Sequence, residues 1–227
     1  MARRKFAYCL FVRIPFWTVV ASIVLVTILR WVPVRCTPLM VIRSIQNKEI
    51  PTKQHWVKLE QVSPALIQAA IASEDNRFAE HNGFDRKELK KMWVEHKEKG
   101  KKLRGCSTIS QQVAKNVFTF GTRTWARKVL ESYWTVMIER IWGKRRIMEV
   151  YLNVAEMGPG LYGAEAATQH YYGIPAMELN RKQACTLAAC LPAPLERSPL
   201  NPSGFVRKRQ AQIYALIPNL TYPDWAL

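Results

Sequence analysis

Apolar residues are distributed along this chain in two ways. From Ile14 to Leu29 (IPFWTVVASIVLVTIL) they form a run without a charge, and Trp31, Val32 and Val34 extend it past Arg30. From residue 63 onward they recur every three or four positions, the period of an amphipathic helix. Ser63-Pro64 predicts a helix start, with Ser as cap and Pro in the first turn. Leu66, Ile67, Ala70 and Ile71 form its buried face, and the run ends at Glu74. Residues 86–104 hold nine Lys/Arg against Glu88, Glu95 and Glu98, which predicts a basic helix running into a loop. A further helix starts at Ser107 or Thr108, where Thr108 and Gln111 are spaced as a capping box. Ile109, Val113 and Val117 repeat on its core side; Thr108, Gln111, Gln112 and Lys115 share the other. The next helix runs from a Thr124 cap to about Trp142, with Gly143 as its stop. Val129, Leu130, Tyr133, Trp134, Met137 and Ile138 are its apolar face, and Lys128, Glu131 and Thr135 line a polar stripe directed away from the core. Helices are also predicted from Arg145 to Asn153, after a glycine loop at residues 158–163, and from Lys182 to Leu191. Residues 35–60 are mixed and predict a linker or arm. Alternating strand patterns are nearly absent, so the class is mainly α.

Composition adds one thing to this picture. A length of 227 residues suits one domain, residues 61–227, plus an appendage. The net charge of +17 is unusual. Such a surface seeks polyanions: nucleic acid, anionic lipid headgroups or phosphate-bearing substrates. The N-terminus decides among them. Residues 1–13 are basic, and the run over 14–34 offers about 20 positions when Arg13 and Arg30 snorkel at its ends, enough to span a bilayer. Trp17 and Trp31 sit where interfacial aromatics belong, and Arg3, Arg4, Lys5 and Arg13 favour a cytoplasmic N-terminus. No A-x-A cleavage site follows, so an uncleaved anchor is expected. The five cysteines, without C-x-x-C spacing, give no disulfide framework and no zinc site. Cys185 and Cys190 fall in an apolar helical run as core thiols.

The candidate chemistry is acidic within this basic background. Glu74 closes an apolar helix, where the helix dipole and partial burial against Phe78 both disfavour its charged form. That suits a general acid or base near neutral pH; the competing reading is an acid on an exposed turn. Glu131 lies among Arg127 and Lys128. Two carboxylates on separate helices match the needs of sugar-transfer chemistry, although an i, i+3 or i, i+4 surface ion pair has the same spacing. Lys115, Arg123 and Lys128 could converge with the helix start at Ser107/Thr108 into a phosphate site. No P-loop, dinucleotide fingerprint, zinc-protease spacing or G-x-S-x-G is present.

Five ordered stretches carry a resemblance. EDNRFAEHNGFD (Glu74–Asp85), GCSTISQQVAKN (Gly105–Asn116), RKVLE through EVYLN (Arg127–Asn153), GPGLYGAEAATQHYYG (Gly158–Gly173) and LAACLPAPLERSPLNP (Leu187–Pro202) resemble the motifs of the peptidoglycan glycosyltransferases of family 51. No S-x-x-K or K-T-G follows, so the chain is similar to the monofunctional members rather than to bifunctional penicillin-binding proteins. The resemblance implies a lysozyme-like, mainly helical domain with a small membrane-proximal jaw around residues 86–104, preceded by one transmembrane helix. It implies lipid II and the growing glycan chain as substrates, a β-1,4 glycan product, and undecaprenyl pyrophosphate released with inversion. By resemblance, Glu74 is the general base, and Lys115, Arg123 and Lys128 neutralise the leaving pyrophosphate. Ser107, Thr108, Gln111, Gln112 and Asn116 belong to the same substrate-binding motif; Asp75, Phe78, His81 and Asp85 organise the loop that holds Glu74. Glu131 is the second essential acid, and it either organises the cations or holds a divalent ion such as Mg or Mn; no cofactor is otherwise expected. The implied setting is the bacterial cytoplasmic membrane, crossed once, with the catalytic domain outside. The bilayer and other cell-wall synthases are the expected partners, and nucleic acid is not. A lysozyme-like lytic enzyme is the alternative. Two positions depart from the family pattern: Cys106, where many members carry Gly, and Ile174, where many carry a cation that is either supplied elsewhere, for example by Arg197, or dispensable.

Overall fold

A computed structural model describes residues 12–100, 107–120 and 124–227. The N-terminal residues 1–11, the stretch 101–106 of the basic jaw segment, and Arg123 lie outside the described residues.

The fold is mainly helical and is built around α3 (Pro64–Glu74). Ser63 caps it, accepting the Ala65 N–H at 3.3 Å and donating its hydroxyl to the Leu179 carbonyl at 2.8 Å. The predicted face of Leu66, Ile67, Ala70 and Ile71 is buried, and so are Ala69 and Ala72. A helix apolar on nearly all sides belongs inside a protein. α9 (Arg181–Cys190) and α10 (Gly204–Leu216) cover one flank of α3. Cys185 and Cys190 sit in that packing, where burial pushes both thiols up to about 11. α5 (Ile109–Phe118) packs against α6 (Trp125–Ile141) and α7 (Gly143–Val154). Thr108 caps α5 by accepting the Gln111 N–H at 3.1 Å, while the Gln111 side chain accepts the Thr108 N–H at 3.1 Å. α4 (Arg86–Lys99) starts at an Asp85 cap, and α8 (Ala164–Tyr172) follows the glycine loop.

Two expectations change, and for a third the helix is shorter than the apolar run. The first concerns α6, whose polar stripe faces the protein: Glu131 and Thr135 are buried, while Val129 and Leu130 are 68% and 53% exposed. The Thr135 hydroxyl bonds the Glu131 carbonyl at 2.6 Å, and the Thr135 methyl meets Gly83 where a Cβ there would stand, at 2.6 Å. The inner contact at the start of the helix therefore needs small and polar groups, and Val129 and Leu130 are left outward beside Trp125, whereas Ile138 further along is fully buried.

The second concerns residues 35–60, which are integral structure and not a linker. α2 (Pro38–Gln46) is followed by strand β1 (Lys53–Gln54) and a 3-10 turn at Leu59–Gln61. β1 pairs in parallel with β3 (Leu161–Tyr162), which pairs antiparallel with β2 (Glu156–Gly158). Strands this short leave no alternation to read. Asn153 fastens them: its amide donates to the Val57 carbonyl at 2.9 Å and its side-chain oxygen accepts the Val57 N–H at 2.9 Å. Gly163 turns the chain into α8 at φ +85°, and a Cβ there would stand 2.7 Å from the Asn153 carbonyl oxygen, so only glycine fits.

The third concerns the apolar run expected to span over 14–34. It is α-helical from Ile14 to Leu29 (α1), 16 residues or about 24 Å at the α-helical rise. Among the described residues no helix is long and apolar enough to cross a membrane. α1 is joined to the body: Trp142 Nε1 donates to the Val26 carbonyl at 2.7 Å, Ser22 and Tyr133 share a hydroxyl contact, and Arg146 donates to the Leu29 and Val32 carbonyls at 2.8 and 2.6 Å.

Candidate active site

The C-terminus of α3 opens into a cleft of about 840 Å³. Glu74 lies at its wall, with Ser107, Gln112, Lys115 and Asn116 from the start and face of α5. The Gln112 amide donates to Glu74 Oε2 at 2.9 Å, and the Ser73 hydroxyl to Oε1 at 3.2 Å. Burial pushes the Glu74 carboxyl above its ordinary value. The two hydrogen bonds and the Arg209 charge pull the other way without cancelling it, and Asp75 adds a small push upward.

The neighbouring loop fixes this geometry. Asp75 Oδ2 accepts the Ile109 N–H at 3.0 Å, in the first turn of α5, and Oδ1 meets His81 Nε2 at 2.8 Å. A carboxylate is favoured at a helix N-terminus, and this one ties the end of α3 to the start of α5. Gln112 is thereby set against Glu74. The Thr108 hydroxyl donates to the Gly83 carbonyl at 2.7 Å. Asp85 caps α4 through the Lys87 and Glu88 N–H groups and accepts Arg77 Nη1 at 3.0 Å. Phe78 is fully buried, with Lys144 Nζ 4.5 Å from its ring centre. Ligating atoms of Asp75, His81 and Asp85 lie within 4.8 Å of one another, close enough to share a cation. In the chain as it stands, both carboxylates accept hydrogen bonds that hold the loop.

Glu131 and Lys128 do not line the cleft with Glu74. Glu131 is buried, with Oε1 3.2 Å from Arg127 Nε and Oε2 3.5 Å from Lys128 Nζ. Neither Glu131 Oε1 nor Arg127 Nε has an aligned hydrogen bond. One carboxylate between two cations offers neither the oxygen set nor the field that Mg or Mn requires, so the described residues around Glu131 do not fit a divalent ion. They fit a counter-ion that holds two cations in place.

Sequence reasoning missed Arg43, Tyr151 and Glu156, all in the cleft wall. Arg43 belongs to the stretch that reads as a linker. Glu156 stands three residues past the YLN motif, where an acid beside a glycine loop was the available signal. Arg197 supplies no cation in place of Ile174: it donates to the Ala189 carbonyl at 3.1 Å, packs 4.6 Å over the Phe205 ring and is not in the cleft wall. Arg209 was also missed. Its Nη2 donates to the Ser73 carbonyl at 3.1 Å, which sets its charge behind Glu74.

The model of the Transglycosylase family matches residues 41–217. Three similar proteins are each named biosynthetic peptidoglycan transglycosylase. That of Pseudomonas aeruginosa is 45% identical over 99% of this chain and 96% of its own length. That of Bacteroides thetaiotaomicron is 49% identical over 87% of this chain and 81% of its own. That of Caulobacter vibrioides is 47% identical over 86% and 84%.

Proposed function

Since this chain belongs to the Transglycosylase family, we propose that it is a peptidoglycan glycosyltransferase that polymerises glycan strands. The observation that carries the mechanism is Glu74, a carboxylate with a raised pKa held by Gln112 in the wall of a large cleft. In this reading the substrate is lipid II. Glu74 takes the proton from the 4-hydroxyl of the acceptor's N-acetylglucosamine. That oxygen attacks C1 of the donor's N-acetylmuramic acid from the face opposite the leaving group. The C1–oxygen bond to the pyrophosphate breaks, its electrons leave with the lipid pyrophosphate, and C1 inverts. Lys115 meets the charge that develops on the leaving group. Arg123 and Lys128 are its partners by resemblance to the family; Lys128 approaches from outside the wall that Glu74 lines, held with Arg127 by Glu131. Ser107, Asn116 and the Gln112 amide position the sugars.

The domain is lysozyme-like in this reading, and α1 is its membrane anchor, with Arg13 and Arg30 at the ends and the catalytic domain outside the cytoplasm. Trp125, Val129, Leu130 and Val136 of α6, the helix that meets α1 through Tyr133 and Ser22, are also exposed, and bilayer lipid would cover them. A lipid-borne, phosphate-bearing substrate explains why the anchor and the +17 charge occur together.

Incubating the purified protein with labelled lipid II tests the reading. Glycan polymer is expected. Unchanged lipid II together with degraded sacculi would make the protein a lytic enzyme.

The pH profile tests the base. A general base works only when ionised, so activity should fall as pH drops through the raised pKa of Glu74. Arg209 opposes that rise. Arg209→Gln is therefore expected to move the acidic limb of the kcat/KM profile to higher pH, leaving the alkaline limb in place. An unmoved acidic limb would remove Arg209, or Glu74, from this assignment.

A further inference from the structure

Beside the main cleft lies a smaller recess of about 230 Å³. Arg43, Glu156 and Leu195 line both, so the recess is a side branch of the cleft. Its other walls include Ile50, Thr52 and Tyr162. Arg43 comes from α2 and Glu156 from β2, and Arg43 Nε stands 3.3 Å from Glu156 Oε2. The Tyr162 hydroxyl donates to Glu156 Oε1 at 3.4 Å.

The guanidinium is poorly satisfied. Its Nε is buried and has no aligned hydrogen bond. Among the described residues, neither Nη nitrogen donates to a protein acceptor. Guanidinium presents its N–H groups as a planar fork that fits the two oxygens of a carboxylate. The Nη groups are not buried: the Arg43 side chain is 34% exposed, and they stand open where the recess meets the cleft. An open fork of donors at that junction is available to a ligand oxyanion.

We propose that Arg43, steered by Glu156, binds a carboxylate on the peptide branch of the substrate and draws that branch into the side recess. This rests on the reading that the substrate is a lipid-linked disaccharide carrying a peptide. Glu156 favours a carboxylate over the pyrophosphate. A group with several negative charges would be repelled by an acid 3.3 Å from the guanidinium, whereas a monoanion completes a guanidinium held between two carboxylates. The walls agree: Ile50, Tyr162 and Leu195 suit small aliphatic side chains, not a hydrated phosphate. Glu74 does not line the recess, so the peptide is held apart from the reacting hydroxyl. The branch that carries no chemistry then sets the register of the sugars that do.

The test compares lipid II with lipid II whose peptide carboxylates are all converted to carboxamides, in initial-rate polymerisation by the full chain. Amidation is expected to raise KM about tenfold or more in the wild type, the weight of a charge-assisted hydrogen bond, with kcat little changed. In Arg43→Gln the two substrates should share one raised KM, and Arg43→Lys should restore part of the difference. The wild-type comparison needs no variant, so it stands even if Arg43→Gln folds poorly. A wild type that does not discriminate would overturn the proposal. So would an Arg43→Gln that discriminates as the wild type does, or one that loses kcat equally on both substrates, which would assign Arg43 to the leaving group. Failure of the underlying functional reading looks different: no polymer from either substrate.

Discussion

Glu74→Gln is expected to abolish polymerisation while leaving the protein as stable as before, or more so. A positioned general base contributes about 10²–10⁴-fold in rate, so glycan product should fall by at least that factor. Stability follows from the sign of the pKa shift. The folded-state value is raised above the ordinary 4.5, so between the two values the folded protein holds a proton that the unfolded chain has released. Stability contributed by that proton is present at low pH and is lost as pH rises through the folded pKa. At neutral pH the ionised Glu74 therefore costs folding free energy, which a neutral amide does not. The Gln112 donor is still satisfied, because the new side-chain carbonyl accepts in place of Oε2. Lipid II turnover and a thermal melt of the same preparation check both halves. Retained turnover would dismiss Glu74 as the base, and a melt lowered by many degrees would make it a structural acid.

Glu131→Gln should lower turnover for a different reason. Glu131 is buried between Arg127 and Lys128 at 3.2 and 3.5 Å, and without its charge the two cations repel each other and lose their direction. Groups aimed at developing charge are worth about 10²–10³-fold each, so kcat should drop by that order while KM changes less. Lys128 is half exposed, and water screens its share of the lost pairing. Removing the charge should cost about 1–3 kcal/mol, which at this chain length lowers the melting temperature by roughly 2–4 °C per kcal/mol. A melt lowered by tens of degrees with kcat preserved would instead make Glu131 a strut.

The second helix of the site shows how far the sequence could be read. The capping box of Thr108 and Gln111 and the core repeat of Ile109, Val113 and Val117 are local features, and α5 has them where the pattern predicts. α6 shows the limit. Its two faces are legible, but a pattern of polarity does not say which side the rest of the protein will occupy. Glu131 and Thr135 turn inward because the neighbouring loop at Gly83 leaves room for a small polar contact, and Val129 and Leu130 are left to whatever covers them outside. Arg43 and Glu156 were out of reach for another reason. They belong to segments far apart in the chain, brought together only when β1 pairs with β3. Strands of two and three residues carry no periodicity by which that pairing could be foreseen. The loop from Asp75 to Asp85 lay between these extremes: its residues stand out in the sequence, but the bond from Ile109 to Asp75 that joins two helices does not.

The way α1 is held has a consequence for how the chain is made. Val26 receives its hydrogen bond from a tryptophan 116 residues later, and Leu29 from an arginine 117 residues later. During translation the first helix emerges long before its partners exist, and it must wait while more than half of the chain is synthesised. A delay of nearly half the chain applies to β1, whose partner strand begins at Leu161. A nascent chain stopped short of Tyr133 would carry an apolar helix without Tyr133, Trp142 and Arg146, the side chains that hold it, an aggregation hazard unless something else receives it. The order of synthesis and the order of assembly therefore run in opposite directions at this end of the protein.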